Sequence, residues 1–500
     1  MMTWKKIITG FFAFSLLFTS PVAQAEEKHP LVQTENIYSF LLENHLSRPK
    51  PFQLVKGALN GISAEAAKAK NLTLFSSPED DTLEELELRM KKWHTESSIE
   101  WDQLNDWAIT GMISTLEDPY TNYFSREQLN GFQSAVENEF VGFGLRFRIV
   151  KGNFVVKEII ANSPASKVDL AVGDYVFTAD GTKLAGKTLE DVYRLLKGEE
   201  GTESVFAVYR PSTKKAFEVR LKREVLALPE VASSLFKGQV GYLSLSTFGS
   251  QAGVQFQDEL NKLMNSKQPL QGLIIDLRDN SGGYLSAAHD IASLFIEDGL
   301  LMYTVDRSGI EIETWVHNGR TVSFPVRILV NGQTASASEL LAGGLRDNGV
   351  AQLVGTKTFG KGVAQQIIPL DSGDALKITL QEYFTPKHSK VNHVGLLPNI
   401  VVEDEISQII EALRSLGVKQ YEIRENKEEG IWVNGVEFFS STEVFKKTPQ
   451  GIQVRKEVLA SLLGQRDLQG ETYVPLSNYS KQGVQVKSVT NEIILNYQAK

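Results

Sequence analysis

Residues 331–366 read NGQTASASELLAGGLRDNGVAQLVGTKTFGKGVAQQ, and the side chains able to do chemistry there are Ser336, Ser338, Lys357 and Lys361. A serine is a weak nucleophile until a base sits beside it. The stretch has no histidine, so the base on offer is an amine. Lysine accepts a proton only when neutral, and an ordinary pKa of about 10.4 keeps it charged near pH 7. Burial disfavours the ammonium and brings that value down. Lys361, bracketed as Phe359-Gly360-Lys361-Gly362 and expected to be buried among Val354, Phe359 and Val363, has the tighter setting, whereas Lys357 lies between two threonines and is expected to be solvated. Gln365, four residues on, can hold the amine without adding a negative charge that would raise its pKa again. The chemistry would be attack by a hydroxyl with an amine as general base. A bare Ser/Lys pair is more often a capping serine and a surface lysine, so the elements around it must decide.

The run RILV at 327–330 predicts a buried strand, and 339–345 predicts a short helix of small and apolar residues. Ser336 then lies at a strand-to-helix turn, where the free N–H groups of the helix start face any developing negative charge. A second apolar strand, 273–277, runs into a glycine turn, Asn280-Ser281-Gly282-Gly283.

Several ordered motifs agree with this arrangement: TASASE, then TFGKGVAQ with 25 residues from Ser336 to Lys361, GQVGYLSL at 238–245, LIIDLRDNSGG at 273–283, Thr385-Pro386 and GLLPN at 395–399. Together they resemble the carboxyl-terminal processing peptidases of the S41 serine peptidase family, over roughly residues 101–403. The resemblance implies a serine endopeptidase with no cofactor and no metal. It makes Ser336 the nucleophile, Lys361 the general base and Gln365 the third member of the triad. The oxyanion hole would use the N–H of Ala337 and one from Gly282 or Gly283, between which the sequence does not choose. Asp276, Arg278 and Asp347 read as structural. There are departures from the family pattern: Lys387-His388 follows Thr385-Pro386 where a TPxG turn is usual, Asn399 stands where PD is expected after Pro398, and Thr334 stands where serine is common.

The implied fold class is multidomain α/β, with a ClpP/crotonase-like peptidase core. Lys5 and Lys6, an apolar run at 7–18 and Ala23-Gln24-Ala25 predict a secretory signal peptide at 1–25, an uncleaved anchor being the alternative, and hence an exported, extracellular or cell-envelope protein. Residues 26–140 read as largely helical. A weak repeat at an offset of 50 (Leu54, Ala58 and Gly61 against Leu104, Ala108 and Gly111) suggests two related hairpins. In relatives the first hairpin supports dimerisation, which makes its exposed apolar face a candidate homodimer surface, a simple packing lid being the other reading. Residues 141–224 resemble a PDZ domain. There Gly142-Phe143-Gly144-Leu145 would bind a terminal carboxylate, and Leu189, Val192, Tyr193 and Leu196 share one helix face that divides between core and peptide pocket. The partners implied are proteins or peptides with exposed, apolar C-termini. Residues 225–404 form the peptidase core by this reading, and 405–500 a helix, a charged linker and a module weakly resembling the copper amine oxidase N-domain. A cell-wall contact is one reading of that module and a passive stability module the other. The name implies no copper, and none of the seven histidines lies in the tail.

A net charge of −9 without any basic block argues against nucleic-acid binding, and the absence of cysteine excludes disulfides and thiol catalysis. The competing readings are a catalytically silent PDZ scaffold and a cell-wall adaptor.

Overall fold

Helical spacing of Leu54, Ala58 and Ile62, and of Leu104, Ala108 and Met112, buries one stripe on each of two helices. The structure, a computed structural model, describes residues 30–74, 81–426, 430–438, 440, 442–465, 468–489 and 491–499. The expected signal peptide lies outside the described residues, as do residues 427–429 of the charged linker. Residues 30–42 and 49–117 make one unit, and residues 43–48 and 118–499 another.

The first unit is helical, with α1 (Val32–Asn44), α2 (Pro51–Lys70), α3 (Leu83–Ser97) and α4 (Trp101–Ser114). The repeat has a physical meaning here. Gly61 of α2 and Gly111 of α4, equivalent at the 50-residue offset, touch each other, and a Cβ on Gly61 would lie 2.7 Å from Gly111 Cα. The two backbones approach this closely only because both positions lack a side chain.

The first unit ends at Glu117, and one further helix follows before residue 140. Residues 118–142 belong to the second unit and supply β1 (Asn122–Phe124), α5 (Arg126–Val136) and β2 (Glu139–Gly142). The small β domain follows, with β3 (Leu145–Val150), β4 (Asn153–Ile159), β5 (Tyr175–Ala179), β6 (Thr182–Lys183), α6 (Leu189–Leu196), β7 (Glu203–Arg210) and β8 (Lys215–Lys222). Its antiparallel sheet runs β3-β4-β5-β7-β8, with β6 on β5, so β3 is an edge strand. Phe147, Phe154, Phe206 and Val192 pack in a core of its own. Helix α6 starts at the expected capping box, the Thr188 side chain accepting from the Asp191 N–H at 3.1 Å and the Asp191 carboxylate from the Thr188 N–H at 3.2 Å. Strand β2 pairs antiparallel with β9 (Glu224–Ala227), so the domain is carried on a two-stranded ribbon.

The peptidase-like core is built on a six-stranded sheet: β10 (Val231–Phe236), β11 (Val240–Leu245), β12 (Gly272–Asp276), β15 (Val326–Val330), β16 (Ala351–Gly355) and β19 (Ile400–Val401). The strands from β11 onward are parallel. Every residue of β12 is buried, as expected for a parallel strand covered on both faces. Leu273 and Ile275 face the helices α7 (Ala252–Met264), α8 (Leu285–Ala292) and α9 (Ala337–Asp347). Ile274 and Leu329 face α10 (Glu405–Ser415) in a second core. An antiparallel sheet stands beside these layers, with order β1-β18-β13-β14 and β17 also on β18. It comprises β13 (Gly299–Asp306), β14 (Glu311–Val316), β17 (Val363–Pro369) and β18 (Ala375–Phe384).

Residues 420–499 add a five-stranded and a three-stranded antiparallel sheet with a helix, Lys456–Leu463. They do not hang free as an appended module. Phe438 stacks on Phe236 of β10 at 6.0 Å and meets Tyr242 of β11 edge-on at 5.4 Å, so the tail completes the core on the second face of the peptidase sheet.

Candidate active site

Parallel strands end at one rim of their sheet, and the turns that follow neighbouring strands meet there. Strands β12 and β15 are neighbours in register, Asp276 opposite Leu329. Their following turns, 277–283 and 331–336, are stitched together. Thr334 Oγ1 donates to the Leu277 carbonyl at 2.8 Å, Ala335 N–H to the Asn280 carbonyl at 3.1 Å, and Asp279 N–H to Asn331 Oδ1 at 3.0 Å. The glycine turn is thereby fixed against the serine turn.

Ser336 has φ 56° and ψ −118°, a backbone conformation that a side-chain-bearing residue rarely adopts, and it opens α9. Gly282 lies directly against it, and a Cβ there would sit 2.8 Å from Ser336 Cβ and 3.0 Å from Ala337 N. The two serines separate cleanly. Ser338 is fully buried and its hydroxyl donates to the Asn280 carbonyl at 2.9 Å, whereas Ser336 lines a cavity of about 670 Å³. Lys361, Gln365, Gly282 and Gly283 line the same cavity. Ala337 is buried behind it, its N–H in the first turn of α9.

The glycines separate as well. Gly282 N–H donates to Asn280 Oδ1 at 2.9 Å, so its donor is already used. Phe248 and Tyr284 bridge across Gly283, Phe248 N–H donating to the Gly282 carbonyl and Tyr284 N–H to the Phe248 carbonyl. No hydrogen bond of Gly283 N–H stands among the described residues.

Lys361 is partly buried, and Lys357 is exposed. One expected neighbour needs correcting. Val354 belongs to the core on the far side of the sheet, while Phe359, though 53% exposed, lines the cavity with Lys361. The Lys361 ammonium lies instead over the ring of Tyr120, 4.8 Å from its centroid, with Val363 also lining the cavity. Burial first, then the charge of Lys377, lowers its pKa from 10.5 to about 8, against the opposing pull of Asp118 and Glu339. Among the described residues no hydrogen bond joins Ser336 Oγ to Lys361 Nζ. Gln365 donates from its amide to the Val363 carbonyl at 3.2 Å and to Thr379 Oγ1 at 3.4 Å, and neither bond reaches Lys361.

Three residues unassigned by the sequence organise the site. Glu339 is fully buried. One oxygen accepts from Ser336 N–H at 3.0 Å and Lys361 N–H at 2.8 Å, and the other from Gly360 N–H at 2.8 Å and the Thr358 hydroxyl at 2.5 Å. One carboxylate thus holds the serine turn and the lysine turn together. Burial raises its pKa, and these hydrogen bonds oppose the rise. Tyr383, also buried, places its hydroxyl 2.9 Å from both the Ser336 and the Lys361 carbonyls. Lys377 of β18 is a second amine on the cavity wall. The spacing Ser336-x-x-Glu339 is a capping-box signature that could have exposed Glu339; Tyr383 and Lys377 carry no comparable local signal.

The structural residues behave as read. Asp276 binds Arg278 and accepts from the Tyr242 hydroxyl at 2.7 Å, while Asp347 accepts from Arg346 and from Lys387 N–H. The departures from the family pattern are accommodated. His388 takes the positive φ of 54° that a glycine would favour, and its ring stacks on Tyr303 at 3.9 Å. Asn399 Oδ1 accepts from Leu353 N–H at 2.8 Å, a task that needs only an oxygen.

In the small β domain, residues 140–146 with Ile160, Tyr193 and Leu196 enclose a cavity of about 590 Å³ at the β3 edge. Gly144 has φ 80°, and any Cβ there would collide with Ser163. Phe143 is buried in the domain core against Phe206, at 5.2 Å, while Leu145 starts β3. Val192 points into the core and Leu189 packs against it, so neither lines the cavity; Leu196 takes that place. The Tyr193 hydroxyl accepts from the Phe147 N–H at 3.0 Å, on the open edge of β3.

Comparisons with known proteins match this layout. The model of peptidase family S41 matches residues 239–402, and that of the PDZ domain residues 141–221. The carboxy-terminal processing protease CtpB of Bacillus subtilis (strain 168) is 32% identical over 309 residues, 61% of this chain and 64% of that relative. The carboxyl-terminal-processing protease of Synechocystis sp. (strain ATCC 27184 / PCC 6803 / Kazusa) is 34% identical over 311 residues, 61% of this chain and 72% of the relative. Among solved structures, the photosystem II D1 C-terminal processing protease aligns at a TM-score of 0.46 and 26% identity, covering 78% of this chain and 97% of that one.

Proposed function

The chain belongs to the carboxyl-terminal processing proteases of peptidase family S41, and we propose that it is an exported serine endopeptidase that captures apolar C-termini of proteins in its PDZ groove and cleaves nearby. The observation that carries the reading is a serine in a strained turn sharing one cavity with a lysine whose pKa is lowered to about 8.

In the proposed mechanism Ser336 Oγ attacks the carbonyl carbon of the scissile bond while Lys361 Nζ, neutral, takes the hydroxyl proton. The oxyanion is met by the N–H groups of Ala337 and Gly283, since that of Gly282 is engaged by Asn280. Lys361 then returns the proton to the leaving amine, and an acyl ester remains on Ser336. Water, deprotonated by Lys361, attacks the ester and releases the second product. Gln365 would orient the lysine amine, which requires its amide to turn from Val363 and Thr379. Export rests on the N-terminal sequence alone.

The test is cleavage of an unstructured protein substrate by purified enzyme. Ser336→Ala should lose activity by about 10³-fold or more. Ser338→Ala should keep most of it, since its hydroxyl serves a single buried hydrogen bond. A reversal of the two would reject the assignment of the nucleophile.

A further inference from the structure

The cavity beside Ser336 has an unusual charge. Among the described residues that line it, the charged side chains are Lys361 and Lys377, and no aspartate or glutamate lines it, although the whole chain carries a net charge of −9. Lys361 must be neutral to act as a base, which leaves Lys377 as the standing positive charge. Lys377 stands in the middle of its sheet, opposite Asn122 of β1 and Ile367 of β17. Its ammonium is 4.6 Å from the ring centroid of Phe132 and 5.5 Å from that of Phe124, and the two rings stack at 5.3 Å. Among the described residues it makes no ion pair.

The nearest carboxylate in influence is Asp118, and its oxygens are taken. Oδ1 accepts from Tyr120 N–H at 2.9 Å; Oδ2 accepts from the Thr121 hydroxyl at 2.6 Å and lies 3.1 Å from His45 Nε2. The His45 Nδ1 atom accepts from Ser47 N–H, so Nε2 carries the proton and donates to Asp118. A half-desolvated ammonium held only by aromatic faces in a reaction cavity gains most from an anion brought by a ligand.

We infer that the cavity contains a subsite for a carboxylate, read by Lys377, so that the substrate carries an acidic side chain or a chain-terminal carboxylate close to the cleaved bond. This rests on the reading of the cavity as the peptidase site. Lys377 would be a specificity residue, separate from the PDZ groove.

The experiment compares kcat/KM for two pairs of peptides. The first pair has amidated ends and differs as Glu against Gln near the cleaved bond; the second has neutral side chains, is cut close to its end, and differs as free acid against amide. The wild-type enzyme should favour the charged member of one pair by about tenfold, the size of one charge-assisted hydrogen bond. The side-chain pair or the terminal pair identifies the source. The preference should vanish in Lys377→Met, persist in Lys377→Arg, and turn toward a Lys-containing peptide in Lys377→Glu. Parity in the wild type, or a preference that Lys377→Met leaves undiminished, overturns the subsite; in the terminal pair the part attributed to Lys377 is the part that Lys377→Met removes, since the PDZ groove also reads a free C-terminus. If the wild type cleaves no peptide, the proteolytic reading fails separately. The same peptides are then titrated by fluorescence anisotropy against Ser336→Ala with and without Lys377→Met. Tighter binding of the acidic member only when Lys377 is present supports the subsite, and equal binding overturns it.

Discussion

In the proposed mechanism Lys361 has the hardest task of any residue in the site, because it must release a proton in order to take one. Its lowered pKa gives a definite pH profile: kcat/KM should climb about tenfold per pH unit below 8 and level off above it. Lys361→Arg should be inactive across the range, since a guanidinium stays protonated. The same shift affects stability. The unfolded lysine holds its proton up to about 10.4, so the folded protein bears a cost for the charged amine below about pH 8, relieved as the pH rises from there toward the unfolded value. Lys361→Met should therefore melt above wild type at pH 7 and approach it by pH 10, as followed by calorimetry. Glu339 makes the sharper mutational test. Glu339→Gln would turn an amide donor toward N–H groups that now donate to a carboxylate. The expected result is a loss of about 1–3 kcal/mol in a denaturant titration and at least about 10²-fold in kcat/KM.

At the scale of elements, strands were legible because continuous apolar runs are a strong local signal. The strand expected at 327–330 occupies Val326–Val330, and that at 273–277 occupies Gly272–Asp276. Helix α9 starts two residues before its expected position because Ala337 and Ser338 carry little periodic signal. Within the largely helical pattern of 26–140, α5 is a helix, but β1 has three residues and its partner, Ala375 to Lys377, lies far along the chain. A pairing of that kind leaves no local trace. Ser336 and Lys361, the proposed nucleophile and base, stood out by residue type but took their roles only from the family resemblance, while Tyr383 and Lys377 act through contacts that spacing does not encode. The helix face of α6 was found, but periodicity alone could not divide it between core and groove. Tyr193 yields the prediction at this scale. Its hydroxyl occupies a backbone donor on the strand edge where a peptide would add, so Tyr193→Phe should bind a C-terminal peptide about two- to tenfold more tightly by fluorescence anisotropy. Unchanged affinity would show that the contact does not compete.

For the whole second unit, the tail is part of the body. Ile410 and Leu413 of α10, with Phe438 and Leu459 beyond it, cover the same sheet face as Ile274 and Leu329. A chain stopped after Asp404 would bare that apolar face, and should appear in the insoluble fraction on expression while the full chain remains soluble. The cavity likewise draws its walls from distant stretches. Tyr120 comes from before the β domain and Lys377 from β18, and Leu46 N–H donates to the Thr379 carbonyl of that same strand. A chain emerging from the ribosome presents Ser336 before any of β18 exists. Until that strand arrives and finds its early partners, the serine has no walled cavity and the lysine no aromatic cover. Pairings of such long range are slow to form. Over that interval the newly made chain carries Ser336 without the walls that its proposed chemistry needs.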